Sequence, residues 1–167
     1  MIARFLDHGA DPDARCRMGM TPLSIAMQYA PFSIIRMLLV RTSAPQNGQL
    51  LHHAARRTSR DSGAVVDLVL QHCKQLIVND IMYHNHAFSF EIRKCVGLGT
   101  ALHEAAITGT SDRVPVLISR GADMTIRDTR GQTALEAAEA SGNHEVLELL
   151  RQLSSGWSQV SRLRTPF

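Results

Sequence analysis

A leucine followed three residues later by an alanine recurs four times along this chain of 167 residues. The copies read TPLSIA, QLLHHA, TALHEA and TALEAA, and their leucines are Leu23, Leu51, Leu102 and Leu135. These leucines are separated by 28, 51 and 33 residues, and a second apolar stretch with helical spacing follows each copy. Self-similarity near this period is typical of solenoids, in which each unit buries its apolar face against its neighbours. The repeat therefore predicts a stack of helix pairs that presents a binding surface.

The composition agrees with a single all-α domain of this kind. Apolar residues make up 44% of the chain and aromatic residues only 5%, which suits close-packed Ala, Leu and Val helices. No apolar run approaches the roughly 20 residues that cross a bilayer, and the first residues lack a signal-peptide pattern. Three cysteines without a paired spacing indicate reduced thiols. We expect an intracellular protein, cytoplasmic or nuclear, without membrane contact.

Two segments share a longer pattern, HGADPDARCRMGMTPLSIA from His8 and RGADMTIRDTRGQTALEAA from Arg120. In both, the glycine of a GAD triplet precedes the anchoring leucine by 14 residues. With these motifs the chain resembles the ankyrin repeat family, whose unit is two antiparallel helices followed by a β-turn that projects sideways. The resemblance implies an all-α ankyrin-repeat solenoid with hairpin connections. It also implies a structural hydrogen-bonding role for His52 and His103.

The residue types at the ends of the predicted helices support this assignment. Thr21, Thr100 and Thr133 stand where a hydroxyl can cap the first helix of a unit. Gly9 and Gly121 follow the second helix, at the position where a left-handed residue closes it. The local chemistry and the repeat spacing therefore agree.

The spacing divides the chain into a repeat domain over 1–153 and a C-terminal tail over 154–167. The domain is expected to contain a half repeat and four repeats, over 1–17, about 18–46, 47–98, 99–130 and 131–153. Residues 79–98 form a long irregular insertion, and loops of this length are usually functional or disordered. The insertion either supplies a specificity element or fills the irregular second turn. The tail either frays or packs back through Trp157 and Val160.

The resemblance also predicts where a partner would bind, because ankyrin stacks use their turn tips and the inner face of their first helices. Fourteen residues map there, six of them arginines and none acidic: Arg15, Arg17, Met18, Met20, Gln28, Tyr29, Arg56, Arg57, Ile107, Thr108, Arg127, Thr129, Arg130 and Gln132. Arginine binds carboxylates through a planar fork of donors. We therefore expect a noncatalytic module that captures an acidic protein or peptide.

Other readings of the same surface remain open. The arginines could instead belong to a solvated face and pair with Asp13, Glu104 or Asp128. Nucleic acid is not expected as a partner, because the net charge of +3 is modest and phosphate binding gathers a larger excess.

A competing hypothesis places an enzyme or small-molecule pocket between the insertion and the inner helices. Its lining would include Arg56, Arg57, Tyr83, His84 and His86. The chain contains no phosphate loop, GxSxG or HExxH motif. We therefore expect no catalytic residue and no cofactor, and the histidines lack a recognised metal-ligand spacing, so no metal site is expected either.

The first residues predict an incomplete unit. Residues 2–7 read as a second helix whose first helix is absent, which would leave one apolar flank of Ile2, Phe5 and Leu6 uncovered. Terminal repeats normally have polar outer faces. We expect the stack to continue upstream or this end to dock on another chain, and self-association through this helix is a further possibility.

Overall fold

The computed structural model describes residues 2–43, 49–73 and 77–162, with side chains as far as residue 155. The predicted repeat boundary near residue 46, the side chains of Trp157 and Val160, and the end of the tail lie outside this description. Over the described ranges the chain forms α1 (Ile2–Asp7), α2 (Pro22–Tyr29), α3 (Phe32–Arg41), α4 (Leu50–Ala55), α5 (Ser62–His72), α6 (Ala87–Arg93), α7 (Ala101–Thr108), α8 (Arg113–Ser119), α9 (Ala134–Ala140) and α10 (His144–Arg162).

The helices are arranged as a row of antiparallel pairs. The first helices of the units contact one another in the order α2, α4, α7 and α9, and each contacts its own second helix, which is α3, α5, α8 or α10. Helix α6 belongs to the insertion and stands outside this order. In the described ranges the extended pairing is a single bridge between Arg127 and Thr133. The predicted all-α solenoid is confirmed.

The core lies between consecutive pairs and is built from the repeated leucine and alanine. Leu23, Leu51 and Leu102 are buried, and Leu135 of the last unit is partly buried. The alanines three residues later are buried as well, which lets neighbouring first helices approach closely. Each repeat therefore covers the apolar face of the one before it.

The predicted hydroxyl caps form at Thr21 and Thr133. Thr21 Oγ1 accepts a hydrogen bond from Ser24 N at 3.1 Å, and Thr133 Oγ1 accepts one from Glu136 N at 3.3 Å. At the third cap, His103 Nδ1 accepts the backbone N–H of Thr100 at 3.1 Å. These bonds satisfy N–H groups that a helix leaves free at its first turn.

His52 and His103 have the structural role that the resemblance implies. Nε2 of His103 lies 3.0 Å from the carbonyl oxygen of Gln132, in the following turn. Nε2 of His52 lies 3.0 Å from the carbonyl oxygen of Asp80 in the same way. Each histidine therefore links its own repeat to the turn that follows.

Arg57 fixes the end of the preceding first helix. Its guanidinium donates to the carbonyls of Met27 and Ala30 at 3.2 and 2.9 Å, and it pairs with Asp61 through two bonds of 2.7 and 2.9 Å. The last carbonyls of a helix lack partners within the helix and carry partial negative charge. A buried cation at this position therefore stabilises the end of α2.

The same contact recurs twice further along the stack, made by other residues. Arg113, which is fully buried, donates to the carbonyls of Ala55 and Arg57 at the end of α4. Nδ2 of Asn143 donates to two carbonyls at the end of α7, at 2.8 and 2.7 Å. The first helices α2, α4 and α7 are thus each held at their C-terminal end by a side chain of the next repeat.

One feature differs from the sequence prediction, and another adds to it. Helix α10 continues to Arg162, past the predicted boundary of the tail at residue 153. The insertion is ordered: it contains α6 and a 3₁₀ turn at Lys94–Val96.

No helix among the described residues is long and apolar enough to cross a membrane.

Candidate protein-binding face

The insertion is fastened to the first turn of the stack. The hydroxyl of Ser89 donates to the carbonyl of Met18 at 2.8 Å, and the guanidinium of Arg17 lies 5.2 Å from the centre of the Phe88 ring. The ring of His86 lies so close to Gly19 that a Cβ atom there would be 2.9 Å from it. A glycine is therefore required where the insertion meets this turn.

The other end of the insertion is fastened to the last turn. Thr129 N donates to the carbonyl of Leu98 at 3.0 Å, and Leu98 N donates to Thr129 Oγ1 at 2.8 Å. In the middle, Gln49 Nε2 donates to Asn85 Oδ1 at 2.9 Å, and Gln49 Oε1 accepts Tyr83 N at 3.0 Å. The insertion therefore runs from the first turn to the last.

Helix α6 and the 3₁₀ turn after it expose an apolar stripe. Phe88, Ile92 and Val96 are spaced four residues apart and are 43%, 53% and 64% exposed. Residues with this spacing lie on one side of a helix. Their neighbours Ser89 and Phe90 turn toward the stack, where Ser89 is buried and Phe90 is partly buried against Met82, Tyr83 and Leu98. The insertion thus has an inner face that anchors it and an outer apolar face.

A cavity of about 280 Å³ lies between the insertion and the inner helices. The insertion supplies one wall, and α4, α7, α9 and the last turn supply the others. The residues that line it are Arg56, Met82, Tyr83, Arg93, Val96, Gly97, Leu98, Glu104, Ile107, Arg130, Ala137, Ala140 and Ser141.

One carboxylate at this cavity already has a partner. Glu104 is buried, and its Oε2 lies 2.8 Å from Nε of Arg56. Burial raises the pKa of Glu104, and the adjacent Arg56 opposes that rise. The positive charge of Arg56 is therefore balanced within the protein.

Tyr83 has an unusual conformation at the base of the cavity. Its φ of 62° is rare for a bulky residue, its side chain is 1% exposed, and its ring lies 5.4 Å beneath the guanidinium of Arg93. No described group makes a hydrogen bond to its hydroxyl. Burial raises the pKa of Tyr83, so this hydroxyl remains a hydrogen-bond donor at neutral pH.

Arg57 does not lie on the predicted binding face. The sequence prediction placed it there beside Arg56, but its side chain is 3% exposed and is used to hold the end of α2. That prediction was wrong because adjacent residues of a helix end point in different directions, and only Arg56 turns toward the cavity.

The face is also less basic than the sequence suggested. Besides the pairs of Arg56 and Arg57, Arg127 pairs with Glu136 at 3.2 Å, and Arg130 Nε lies 3.9 Å from Asp128 Oδ2. Four of the six predicted arginines thus have a carboxylate partner. For Arg56, Arg127 and Arg130 this agrees with the alternative of a solvated face with paired charges, and Glu104 and Asp128 are two of the expected partners. Arg57 is buried and does not belong to that face.

The other predicted residues divide into exposed and partly buried groups. Arg15, Arg17, Ile107 and Thr129 are exposed, whereas Met18, Met20 and Gln132 are partly buried. Gln28 and Thr108 are engaged internally: Gln28 Oε1 lies 3.3 Å from His53 Nδ1, and Thr108 Oγ1 donates to Glu104 O at 2.7 Å. Tyr29 lies away from the cavity, in a groove at the start of the stack.

The predicted small-molecule pocket forms with a different lining. Arg56 and Tyr83 border the cavity, as expected, but Arg57, His84 and His86 do not. His84 is exposed with Nε2 3.5 Å from Asp80, and His86 caps α6 by accepting Ser89 N at 3.3 Å. In the part of the chain that the structure describes, no three His, Cys, Asp or Glu side chains come together in a way that could hold a metal ion.

The sequence analysis did not identify Arg93 or the stripe Phe88, Ile92 and Val96. The stripe had a readable signal, because Phe88, Ile92 and Val96 follow helical spacing inside the insertion. Arg93 had none, since its place at the cavity depends on how the insertion docks.

The start of the stack exposes a second apolar surface. Phe5 of α1 is 62% exposed and Ile2 is 38% exposed. Together with Ile25 and Tyr29 of α2 they border a groove of about 390 Å³. Ile2 and Phe5 are thus exposed as predicted, whereas Leu6 is partly buried against the core.

Comparison with known proteins gives one family and several partial relatives. A family model of ankyrin repeats in three copies matches residues 51–156. The chain is 27% identical over 164 residues to the mitochondrial disaggregase of Bos taurus, covering 98% of the chain and 22% of that protein. It is 39% identical over 62 residues to an ADP-ribosylation factor GTPase-activating protein of Arabidopsis thaliana, covering 37% of the chain and 8% of that protein. An ankyrin repeat protein of Rickettsia felis matches at 42% over 52 residues, or 31% of the chain and 82% of that protein. The chain spans less than a quarter of the first two relatives.

Proposed function

The chain belongs to the ankyrin repeat family, and from this premise we propose that it is a noncatalytic module that binds a protein partner. The proposed contact surface combines the stripe Phe88, Ile92 and Val96, the rim of the cavity and the two turn tips. The observation that carries the proposal is this exposed stripe beside an arginine-lined cavity. Aromatic, apolar and arginine side chains together are characteristic of the centre of protein interfaces.

Rigidity of this surface supports the proposal. The insertion is hydrogen-bonded to the first turn through Ser89 and to the last turn through Leu98 and Thr129. A surface held in place before contact loses little conformational entropy on binding. The partner would therefore meet a preformed face.

We propose an acidic partner. Two arginines support this proposal, fewer than the six that the sequence suggested. Arg93, at the cavity, and Arg17, on the first turn, make no ion pair with a described residue, and each guanidinium lies over an aromatic ring, that of Tyr83 and that of Phe88. These two guanidinium groups retain donors that a carboxylate can accept. Nucleic acid is not proposed, because most other arginines of this face are already paired.

A single substitution on the stripe tests the contact surface. Ile92→Glu places a charge at the centre of the proposed interface, and we expect a loss of partner capture of tenfold or more, because interface centres tolerate an uncompensated charge poorly (about 2 kcal/mol or more). The measurement is affinity purification with mass spectrometry, followed by binding of the recovered partner to the purified variant.

Val40→Glu is the matched control, since Val40 is an exposed β-branched residue on α3, away from this face. Unchanged binding is expected for it. Equal binding by Ile92→Glu and Val40→Glu would remove the stripe from the interface.

The alternative function is capture of a small molecule or catalysis in the cavity. The observation that favours it is the cavity bordered by Arg56, Tyr83 and Arg93. Its volume of about 280 Å³ lies just below the range of about 300–1,000 Å³ that is usual for small-molecule sites. We therefore rank it second to protein binding.

Self-association through α1 is a further proposal, based on exposed Phe5 and Ile2. If two copies meet there, the mass measured by sedimentation equilibrium rises with concentration, and Phe5→Glu abolishes the rise because it places a charge in an apolar contact. Val40→Glu should leave the rise intact. A monomer mass at every concentration would refute this proposal.

We place the protein inside the cell, in the cytoplasm or nucleus. Cys16, Cys73 and Cys95 are free thiols, as expected of a reducing compartment. The name of the similar Bos taurus protein places that relative in mitochondria. Fluorescence microscopy of the tagged chain distinguishes these compartments.

A further inference from the structure

We infer that the groove at the start of the stack is a docking site for one short α-helix of a partner protein, and that the hydroxyl of Tyr29 holds the C-terminal end of that helix. This groove is separate from the stripe on α6. The inference therefore adds a second contact surface to the proposed function and does not depend on the first. A comparison of α2 with the three later first helices carries it.

One side of α2 is exposed although the equivalent side of every later first helix is covered. The residue two positions after the repeated leucine is Ile25 in α2, His53 in α4, Glu104 in α7 and Ala137 in α9. The last three are 3%, 4% and 1% exposed, in helices that contact the first helix of the preceding unit. Ile25 is 42% exposed and borders the groove. The groove is therefore the place that a first helix in front of α2 would fill.

A second position of the repeat supplies a hydrogen-bond donor to the preceding helix. Six residues after the repeated leucine, Arg57 donates to two carbonyls at the end of α2, and Thr108 Oγ1 lies 3.3 Å from the carbonyl oxygen of Ala55 at the end of α4. In α2 this position is Tyr29, whose side chain is 73% exposed and makes no hydrogen bond to a described residue. A phenolic hydroxyl can donate, and the last carbonyls of a helix need donors. Tyr29 is therefore placed to hold the end of an incoming helix.

The occupied places of the stack indicate which kind of helix fits. They are filled by α2, α4 and α7, which are six to eight residues long. Each of them buries alanine, which lets two helix backbones approach closely. Among the described residues that border the groove, Asp11 alone is charged. The inferred helix is therefore short, rich in alanine and leucine, and uncharged on its contact face.

The wall opposite α2 supplies apolar surface for the same helix. Phe5 and Ile2 of α1 are 62% and 38% exposed, and both border the groove together with Leu38 of α3. Covering such side chains is favourable, because apolar surface is removed from water. A helix that lays its apolar face into a groove is a common mode of recognition between proteins.

A peptide with the sequence of α7, residues 99–109, is the probe for this site. Its ends are blocked, and a hydrocarbon staple holds it helical, because a free helix of this length is marginal in water. The staple joins the positions of Glu104 and Thr108, which face the preceding unit in the stack and would be free in the groove. The peptide is titrated into the isotope-labelled full chain, and NMR follows the backbone amides. We expect saturable shifts confined to α1, α2 and residues 9–12, with a dissociation constant of about 1 mM or below.

Three variants of the chain locate the contact. Ile25→Glu should lower the affinity for the peptide at least about tenfold, because it places an uncompensated charge in an apolar contact. Tyr29→Phe should lower it about fivefold, which corresponds to about 1 kcal/mol for one hydrogen bond. Ile77→Glu is the matched control, since Ile77 is an exposed isoleucine outside the groove, and it should bind as the wild type does. All three side chains are exposed, so the variants should fold, which circular dichroism checks.

The absence of saturable shifts in α1 and α2, or equal affinities of Ile25→Glu and the wild type, would overturn the docking site. Unchanged affinity of Tyr29→Phe would overturn the role of its hydroxyl. Self-association through α1 would use the same groove. If concentrating the chain without peptide shifts the same amides, and the peptide then changes nothing further, the groove belongs to a second copy and the partner helix is overturned. Because the titration does not involve α6, it can fail while the contact through the stripe stands.

Discussion

Replacing Arg57 with alanine is expected to lower the free energy of unfolding by about 3–4 kcal/mol. The guanidinium of Arg57 is buried and donates to the carbonyls of Met27 and Ala30 at the end of α2. Without it, both carbonyls would be left without partners, and each orphaned buried acceptor costs about 1–3 kcal/mol. Loss of the pair with Asp61 adds little, because that carboxylate is about one-third exposed and can be rehydrated.

Urea denaturation followed by circular dichroism measures this effect. Arg60→Ala is the matched control, since Arg60 lies in the same loop, is exposed, and is expected to change the free energy by no more than about 0.5 kcal/mol. If both variants unfold at the same urea concentration, Arg57 does not hold the two units together.

Acidification from pH 7.5 to pH 5 is expected to destabilise the fold by about 4 kcal/mol. Burial lowers the pKa of His52 from 6.5 to about 3, and burial together with the nearby charge of Arg56 lowers the pKa of His53 to about 4. In the unfolded chain both histidines take up a proton near pH 6.5, whereas in the fold they remain neutral. The stability is therefore present above pH 6.5 and is lost as the pH falls toward 4.

The size of the effect follows from the proton linkage. Each histidine contributes about 2 kcal/mol at pH 5, because one pKa unit corresponds to about 1.4 kcal/mol. Burial also lowers the pKa of His103, which adds to the loss. Glu104 acts in the opposite sense, since burial raises its pKa. Among the histidines, His52 and His53 have the largest shifts and carry the predicted loss.

The urea concentration at the midpoint of unfolding, measured at several values between pH 7.5 and pH 5, gives the dependence of stability on pH. His53→Gln should remove about half of the pH-dependent loss, whatever its effect on stability at neutral pH, because glutamine does not titrate. His144→Gln is the control, as His144 is exposed at the start of α10. A flat profile for the wild type, or the same slope for His53→Gln, would show that the buried histidines do not control acid stability.

The repeated units were predictable because each carries its own local signals. The buried leucines, the threonine caps and the alanines recur at the same positions of the repeat. The assignment of one unit is therefore supported by the pattern of the others. The hydrogen bonds of His52 and His103 to the following turn were expected for the same reason. These features depend on residues close in sequence or one repeat away.

The insertion and the cavity depend on contacts that no local pattern encodes. Ser89 binds a backbone carbonyl of Met18, 71 residues away, and any residue could supply that carbonyl. Arg56 and Arg57 are identical neighbours, and only the three-dimensional arrangement shows which one faces the cavity. The sites that hold the units together at their helix ends use Arg57, Arg113 and Asn143, which do not share one position in the repeat.

Hydrogen–deuterium exchange of the chain, alone and with its purified partner, tests the central claim most directly. We expect the partner to slow exchange in α6 and in the turns at 16–20 and 127–132, which together border the proposed face. Slower exchange confined to α5 and α8, on the opposite side of the helix pairs, would contradict it.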